Sequence, residues 1–272
     1  MPKVIIDGKN VHYETYGEGE PLVLLNGIMM STLSWAGFKE ILSQNNKLVL
    51  VDFLDMGQSD TNENEYTQDL HVDTLKELFI RLNFPKVHLA GVSYGGEVAI
   101  RFALKHPNMV SSLILANTTA YTFEALKDIG RCWDYAAATH DGSIFFAATM
   151  PSIYSPEFYE KNKDELRSRE DLFKKALTPE WYESFRRLNR SSLNHDVRKQ
   201  LGEINVPTLV IGAEYDALLP VRCQEEIYHG IKNSNMVVIK ECGHAAMYEK
   251  PIEFSSAILG FLNSYDKNIK TI

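Results

Sequence analysis

Residues 87–98 read VHLAGVSYGGEV. An apolar run, typical of a buried strand, passes through the motif G-x-S-x-G around Ser93 into the pattern of an amphipathic helix. A serine hydroxyl is a good nucleophile only beside a base, and a sharp strand-to-helix turn presents it openly. Gly91 and Gly95 lack the Cβ atoms that would collide with neighbouring backbone in such a turn. The stretch therefore predicts that Ser93 is a nucleophile rather than an ordinary loop serine.

Short β-rich runs alternate with helical patterns on both sides of this stretch. Residues 22–25 (LVLL), 48–51 (LVLV) and 112–116 (SLILA) are almost continuously apolar, as strands covered on both faces are. Alternation of this kind predicts an α/β fold with a mostly parallel sheet flanked by helices. We interpret Gly17–Pro21 as a hairpin turn that leads into the third strand.

The pattern changes between residues 121 and 200. This region has several helix-length segments and no convincing strand, and it holds 13 of the chain's 29 Phe, Tyr and Trp residues. Because the alternation of strands and helices resumes afterwards, we predict a core of residues 1–120 and 201–272 with a helical insertion at 121–200. We expect the insertion to be a lid over an apolar pocket. The alternative is that its rings pack only against the insertion's own helices.

Composition excludes several classes of protein. The chain has 272 residues with 28 Lys and Arg against 36 Asp and Glu, a formal net charge of −8. An acidic balance without a local basic cluster repels phosphate backbones, so nucleic acid is not an expected partner. No apolar stretch approaches the roughly 20 residues that a membrane span needs, and no signal-peptide pattern is visible.

The cysteines and glycines indicate neither a metal nor a cofactor. Cys132, Cys223 and Cys242 are an odd number without C-x-x-C or Cys/His spacing, so the sequence predicts no disulfide framework and no zinc site. A reducing compartment suits them, and we expect a cytoplasmic protein. The glycines at residues 91–96 have the wrong spacing for a dinucleotide fingerprint.

The 87–98 stretch and the order of elements around it resemble the α/β-hydrolase superfamily, and the resemblance covers essentially the whole chain. It implies an eight-stranded, mostly parallel sheet, a helical cap inserted after strand six, and a triad in the chain order Ser, acid, His. The family's haloalkane dehalogenase and epoxide hydrolase branches would need Asp at position 93, so the resemblance is to the serine branch.

The resemblance selects Asp216 as the acid and His244 as the base. Asp216 lies four residues after Gly212, at the end of the apolar run 208–213, where the family carries its acid. Glu214 is the nearest rival, and a helix-capping carboxylate is the alternative interpretation of Asp216. His244 lies between the last predicted strand and the last helix, which is the family's base position.

The same resemblance places an oxyanion hole at two backbone N–H groups, those of Tyr94 and Ile28. The loop before Ile28 has Asn26-Gly27 where the family usually has His-Gly. Because the donor is backbone, this replacement need not abolish the hole. It can alter the hydrogen bonds that hold the loop, and we interpret Asn26 as a clue to specificity.

A turn at residues 52–59 (DFLDMGQS) is similar to the family's D-x-x-G-x-G-x-S turn. We expect its acids to satisfy backbone amides of the turn rather than to take part in catalysis. Asp55 stands where the family commonly has glycine, and the sequence suggests no consequence of that change.

These residues predict a serine hydrolase that forms an acyl-enzyme with a small-molecule acyl substrate. Water as the second acceptor would make it an esterase, thioesterase, lactonase or C–C bond hydrolase. An alcohol acceptor would make it an acyltransferase, with an acyl carrier as a possible partner, and residues 25–30 and 57–59 share a short similarity with the hydroxyacyl acyltransferase of rhamnolipid synthesis. The alternative of another class is a ligand-binding protein without turnover. Nothing in the sequence indicates the oligomeric state.

Overall fold

An eight-stranded sheet forms the centre of the computed structural model, which describes residues 3–265. The strands are β1 (Lys3–Ile6), β2 (Lys9–Tyr16), β3 (Glu20–Leu25), β4 (Asn46–Val51), β5 (Val87–Val92), β6 (Val110–Ala116), β7 (Thr208–Ala213) and β8 (Ser234–Ile239). Their order in the sheet is β1-β2-β4-β3-β5-β6-β7-β8. Strands β3 to β8 run parallel, and β2 pairs antiparallel with β1 and β4. The predicted α/β fold is confirmed.

Helices connect the strands, and five of them lie between β6 and β7, as predicted. They are α1 (Lys39–Leu42), α2 (Asp69–Arg81), α3 (Tyr94–Lys105), α4 (Glu124–Ala138), α5 (Gly142–Ile153), α6 (Pro156–Lys161), α7 (Lys163–Ala176), α8 (Pro179–Ser191), α9 (Val221–Gly230), α10 (Ala246–Glu249) and α11 (Pro251–Leu262). Within residues 3–265, none of these helices has the length and apolar character needed to cross a membrane.

Alternate residues of the central strands contribute to two different hydrophobic cores. In β3, Val23 and Leu25 belong to the core that includes residues of α2, α3 and α9, whereas Leu22 and Leu24 belong to the core that includes residues of α11. All four side chains are 0% exposed. Burial on both faces explains why β3 is apolar at every position after its first two residues, since neither face meets water.

The turn between β2 and β3 is not a hairpin. Strand β4 lies between β2 and β3 in the sheet, so the hairpin predicted at Gly17–Pro21 is wrong. Gly17 has a φ of 70°, and a Cβ atom there would overlap the carbonyl oxygen of Ser43. Gly17 and Gly19 allow the chain to pass close to residues 43–46, which lead into β4. Turn-forming residues indicate the local backbone conformation, but they do not indicate which strand pairs with β3 in the sheet.

The ends of the inserted segment meet. Tyr121 forms an isolated antiparallel bridge with Asp196, and the five helices α4–α8 lie between these two residues. Some of the segment's rings pack against each other: the ring centroid of Phe145 lies 4.8 Å from that of Phe185 and 5.5 Å from that of Trp181. For these rings, the alternative of packing within the insertion is the one observed.

A buried ion pair joins α8 to the turn after β4. Arg187 donates hydrogen bonds to both carboxylate oxygens of Asp55, at 2.6 and 3.2 Å, and Ser184 donates a third at 2.9 Å. The side chain of Asp55 is 0% exposed and that of Arg187 is 14% exposed. Asp55 has a φ of 66°, in the left-handed region that favours glycine. Its contacts with α8 account for a carboxylate at this strained position.

We expect Arg187→Ala to lower the free energy of unfolding by about 3 kcal/mol, because the Asp55 carboxylate would stay buried without its counter-charge. Chemical denaturation measures this. Arg198→Ala is the matched control, since it removes an ion pair with Asp196 whose side chains are 43% and 50% exposed, and should change stability little. Equal effects of the two substitutions would contradict the importance of the buried pair.

His71 is a fully buried histidine without polar partners. Neither of its ring nitrogens has a hydrogen-bond partner among residues 3–265. Its ring stacks on Phe53 at a centroid distance of 4.7 Å and meets the rings of Tyr66 and Tyr94 edge-on. Burial in these apolar surroundings lowers the pKa of His71 to about 3. The imidazole is therefore neutral in the folded protein at all but strongly acidic pH.

This pKa predicts a loss of stability at acid pH. Between its unfolded pKa of about 6.5 and its folded pKa of about 3, His71 binds a proton only in the unfolded chain, so the free energy of unfolding falls as the pH drops through that range. His71→Phe should flatten this part of the stability curve, as followed by urea unfolding between pH 7 and pH 4. His229→Phe, at an exposed position, is the control. An unchanged slope for His71→Phe would refute the assignment.

Candidate active site

Ser93 lies at the sharp turn between β5 and α3. Its backbone has φ 53° and ψ −119°, a strained conformation for a residue with a side chain. Two backbone hydrogen bonds hold it there: its N–H donates to the Ala116 carbonyl at 2.9 Å, and its carbonyl accepts from the Gly96 N–H at 2.8 Å. Helix α3 begins at the next residue, Tyr94. The turn therefore presents the Ser93 hydroxyl at the N-terminus of a helix, as the motif predicts.

The two glycines of the motif are required by close backbone contacts. A Cβ atom on Gly91 would overlap the carbonyl oxygen of Gly95. A Cβ atom on Gly95 would in turn overlap the carbonyl oxygen of Leu25, at the end of β3. These contacts bring β5, α3 and the end of β3 together around Ser93.

The structure brings the three residues predicted as nucleophile, base and acid into one hydrogen-bonded chain. His244 Nε2 lies 3.0 Å from Ser93 Oγ, and His244 Nδ1 lies 2.8 Å from Asp216 Oδ2. Asp216 and His244 are 4% and 6% exposed. A carboxylate only accepts hydrogen bonds, so this arrangement favours the tautomer with the proton on Nδ1. Nε2 is then free to accept the proton of the serine hydroxyl.

Asp216 has further hydrogen bonds that hold its carboxylate. Its Oδ1 accepts from the N–H groups of Leu218 and Leu219 at 3.0 and 2.7 Å, and its Oδ2 also accepts from Asn117 Nδ2 at 3.0 Å. Asn117 is not among the site residues that the sequence predicts. Its location directly after β6, beside β7, was the available signal for this contact.

Glu214, the rival of Asp216, lies in a different environment. Its carboxylate accepts hydrogen bonds from Lys240 Nζ at 2.9 Å and from the Glu241 N–H at 3.0 Å. The Lys240 hydrogen bond is the main reason that the pKa of Glu214 is lowered. Glu214 is thus used in an ion pair at the surface, and Asp216 is the carboxylate that faces His244.

The two residues whose N–H groups are predicted for the oxyanion hole share a cavity with the serine. Ile28, Ser93 and Tyr94 line the same small cavity. Among residues 3–265, no protein acceptor is found for the Ile28 N–H, and Tyr94 is the first residue of α3, where N–H groups lack partners within the helix. Neither N–H group is therefore committed to an acceptor among the described residues.

A larger apolar cavity also opens at Ser93. Its volume is about 260 Å³, and Ser93 and His244 lie in its wall. Three aromatic rings of the inserted segment line it, those of Trp133, Tyr154 and Phe173. The guanidinium of Arg169 also reaches this wall, where it lies 5.7 Å from the ring centroid of Tyr154. The cavity can hold an apolar group of moderate size next to the serine hydroxyl.

The part of the chain that the structure describes contains no group of three His, Cys, Asp or Glu side chains placed to bind a metal ion.

A family model for the α/β hydrolase fold matches residues 20–251. The chain belongs to the α/β-hydrolase family. This confirms the resemblance found in the sequence, and the protein is an enzyme of that fold.

Relatives of this α/β hydrolase cover almost all of its length. MGS-M2, an α/β hydrolase enzyme from a Medee basin deep-sea metagenome library, has a crystal structure with 38% sequence identity, a TM-score of 0.96 and 100% coverage of both chains. A 2-hydroxy-6-oxononadienedioate/2-hydroxy-6-oxononatrienedioate hydrolase of Pseudomonas putida is 28% identical over 93% of this chain and 92% of its own. The enol-lactonase of Burkholderia xenovorans LB400, 21% identical with a TM-score of 0.87 over 96% of this chain and 100% of its own, shares the fold.

Asn26 does not line either of the two cavities at Ser93, so any effect of Asn26 on specificity would act through the loop that it holds. Its side chain is 0% exposed and points into the protein. Its Nδ2 donates to the Val51 carbonyl at 3.0 Å and to Asp52 Oδ1 at 3.2 Å, and its Oδ1 accepts from Trp35 Nε1 at 2.7 Å. Asn26 holds the loop that carries the Ile28 amide.

Asp52, in the turn at residues 52–59, also accepts hydrogen bonds from backbone groups. Its carboxylate accepts from the N–H groups of Thr32 and Gln58 at 2.7 and 2.9 Å. Burial raises the pKa of Asp52, and these hydrogen bonds oppose that shift. The carboxylate ties the turn after β4 to the loop after β3.

We expect Gly91→Ala to lower the free energy of unfolding of this hydrolase by several kcal/mol, or to prevent folding, because its Cβ would collide with backbone that cannot move aside. Gly260→Ala is the matched control: it lies in α11, where the added Cβ would meet nothing within 4 Å beyond the adjacent backbone of its own helix, and it should raise stability by about 0.5–1 kcal/mol. Urea unfolding of both variants measures the difference. A well-folded Gly91→Ala protein of unchanged stability would contradict the close contact.

Proposed function

We propose that this enzyme hydrolyses a carboxylic ester, thioester or lactone through an acyl-enzyme at Ser93. One observation carries the proposal: His244 Nε2 lies 3.0 Å from Ser93 Oγ while His244 Nδ1 lies 2.8 Å from a buried Asp216 carboxylate, next to an apolar cavity. This combination of nucleophile, base and orienting acid is the one that acyl transfer to serine needs.

Each proton has a defined carrier in this mechanism. His244 Nε2 takes the hydroxyl proton as Ser93 Oγ bonds to the substrate carbonyl carbon, and His244 then gives that proton to the leaving alcohol or thiol as its bond to carbon breaks. Water attacks the acyl-enzyme with His244 again accepting the proton, and the proton returns to Ser93 Oγ as the acid is released. Asp216 keeps the imidazole oriented and stabilises its transient positive charge.

The negative charge that develops on the carbonyl oxygen would be stabilised by the N–H groups of Ile28 and Tyr94. Both residues line the small cavity with Ser93, and the N-terminus of α3 adds the positive end of its helix dipole. Because the donors belong to the backbone, they need no reorganisation during the reaction. The hydrogen bonds of Asn26 and Asp52 keep the Ile28 loop in place.

The inserted segment at residues 121–200 would act as the lid of the site, with residues 1–120 and 201–272 as the core domain. The support is that Trp133, Tyr154 and Phe173 line the larger cavity together with Ser93 and His244. An apolar acyl or alcohol group would be held there by these rings, which also exclude water from the reaction.

A second reaction is supported by the relatives. The curated relative from Pseudomonas putida is named as a hydrolase of 2-hydroxy-6-oxo dioates, which supports hydrolysis of a C–C bond next to a ketone as a candidate reaction.

Transfer of the acyl group to an alcohol, with an acyl carrier as donor, is a further candidate. It uses the same acyl-enzyme and differs only in the acceptor. We favour hydrolysis over acyl transfer because hydrolysis needs no partner beyond water.

The proposed partner is therefore a small-molecule acyl substrate. We also propose that the enzyme works in the cytoplasm. All three of its cysteines are free thiols, two of them buried, and thiols persist in a reducing compartment.

We expect the enzyme to release p-nitrophenol from a series of acyl esters of increasing chain length. Ser93→Ala should lower kcat/KM by at least about 10⁴-fold, and Asp216→Asn by a similar order, with circular dichroism spectra unchanged. Cys132→Ser, at an exposed position away from the cavities, is the control that should keep full activity. The preferred chain length reports the size of the larger cavity.

The outcomes separate the candidate reactions. Activity that survives Ser93→Ala would refute the acyl-enzyme. If the wild-type enzyme gives only a single burst of p-nitrophenol, addition of alcohol acceptors tests acyl transfer, and loss of colour from a 2-hydroxy-6-oxo dienoate tests C–C hydrolysis. Binding of all these compounds without turnover would support the ligand-binding alternative.

A further inference from the structure

Ser93 lies in the walls of two cavities with different chemistry. The larger, of about 260 Å³, has walls of Met, Ile, Leu and aromatic side chains, with Arg169 at its wall. The smaller has a volume of about 50 Å³, which suits only a short group. Ile28, Trp133 and Leu218 line both cavities, as Ser93 does. A substrate whose carbonyl carbon lies at Ser93 would therefore extend into both.

A buried glutamate lies in the wall of the smaller cavity. Glu97 follows Ser93 by one helical turn, donating its backbone N–H to the Ser93 carbonyl at 3.2 Å, and it is 5% exposed. Gln68 Nε2 donates to Glu97 Oε2 at 2.5 Å. Within residues 3–265, no protein donor is found for the other carboxyl oxygen, Oε1. The mechanism above makes no use of this carboxyl group.

The surroundings of Glu97 favour its neutral form. Burial raises the pKa of Glu97 to about 8, and the hydrogen bond from Gln68 and the charge of Arg101 only partly oppose this. Arg101 does not pair with Glu97 directly: its Nε donates to Gln68 Oε1 and to His195 Nδ1, at 3.0 and 3.1 Å. At neutral pH the carboxyl group is therefore an acid with an O–H to donate.

A buried asparagine also lines this cavity. Asn189 of α8 is 6% exposed, and its Nδ2 donates to the Gly130 carbonyl at 2.8 Å. This contact leaves its Oδ1 as an acceptor. A hydroxyl group donates one hydrogen bond and accepts others, so it can satisfy a carboxylic acid and an amide oxygen together. A methyl group in the same place would leave both unsatisfied, at a cost.

We propose that the smaller cavity is a subsite for a short, hydroxyl-bearing group next to the scissile carbonyl, and that Glu97 and Asn189 recognise its hydroxyl. The preferred substrate is then an ester with one larger apolar side and one short hydroxylated side. The hydroxylated side can be the alcohol, as in a 2-hydroxyethyl ester, or the acyl group, as in a short hydroxyacyl ester. This inference rests on the proposed ester hydrolysis.

Matched pairs of esters test the subsite. One pair compares the ethyl and 2-hydroxyethyl esters of the same medium-chain acid, and the other compares butyrate and 3-hydroxybutyrate esters of the same medium-chain alcohol. For one of the two pairs we expect the wild-type enzyme to show a kcat/KM roughly tenfold higher for the hydroxylated member, the size expected for satisfying polar groups that would otherwise be buried unpaired. A pH-stat follows all four reactions without a chromophore.

Variants show whether Glu97 causes the preference. Glu97→Gln keeps a polar group of the same shape and should retain most of the preference, whereas Glu97→Leu should abolish it, with the loss in kcat/KM confined to the hydroxylated ester. Leu172→Ala is the control: this residue lines only the larger cavity, so the variant should change the activity on both members of a pair by the same factor. Asn189→Leu gives a second test if Glu97→Leu does not fold.

The results distinguish this inference from the proposed function. Absence of Ser93-dependent hydrolysis of all four esters would overturn the proposed function. Ser93-dependent hydrolysis without preference in either pair, or a preference unchanged in both Glu97→Leu and Asn189→Leu, would overturn the subsite. A uniform loss of activity in Glu97→Leu, with the preference intact, would show that Glu97 only supports the fold of α3. A 2-aminoethyl ester preferred over the 2-hydroxyethyl ester would show that the subsite takes a cation instead.

Discussion

The contact between backbone atoms around Gly91 and Gly95 is the constraint on which the site depends. Neither position has room for a Cβ atom, since the first faces the Gly95 carbonyl and the second faces the carbonyl of Leu25 at the end of β3. This closeness forces the chain to turn at Ser93 with a positive φ, and it sets the nucleophile beside the loop that carries the Ile28 amide. The strain is tolerated because every residue of β5 and the first seven residues of α3 are buried in the core.

The parallel strands of the sheet bring the other polar residues of the site next to the turn at Ser93. Strands β5, β6, β7 and β8 are neighbours in the sheet, and their carboxyl ends lie at the same edge. Each strand is followed by one residue of the hydrogen-bonded chain: Ser93, Asn117, Asp216 and His244. The sheet therefore holds four polar side chains from distant parts of the sequence within hydrogen-bond distance, while its two faces are buried by helices.

The inserted helices contribute side chains to the walls of both cavities, and polar contacts anchor α8 to the core. Arg187 binds the buried Asp55, and the Tyr94 hydroxyl lies 2.8 Å from Ser191 Oγ, so α8 is tied both to the turn after β4 and to the helix that follows the nucleophile. These contacts place Asn189, between the two anchors, in the wall of the smaller cavity. The difference in polarity between the two cavities thus depends on how α8 is fixed to the core.

Local patterns in the sequence were sufficient for the elbow at Ser93, for the alternation of strands and helices, and, through the family resemblance, for the choice of Asp216 and His244. These features depend on residue types a few positions apart, where backbone geometry leaves few alternatives. Only the tertiary structure decided that β2 pairs with β4, that Asp55 meets Arg187 across 132 positions, and that the Asn26 side chain turns away from the cavities. Those outcomes depend on which surfaces meet after the chain has folded, and a linear pattern does not contain the directions of its side chains.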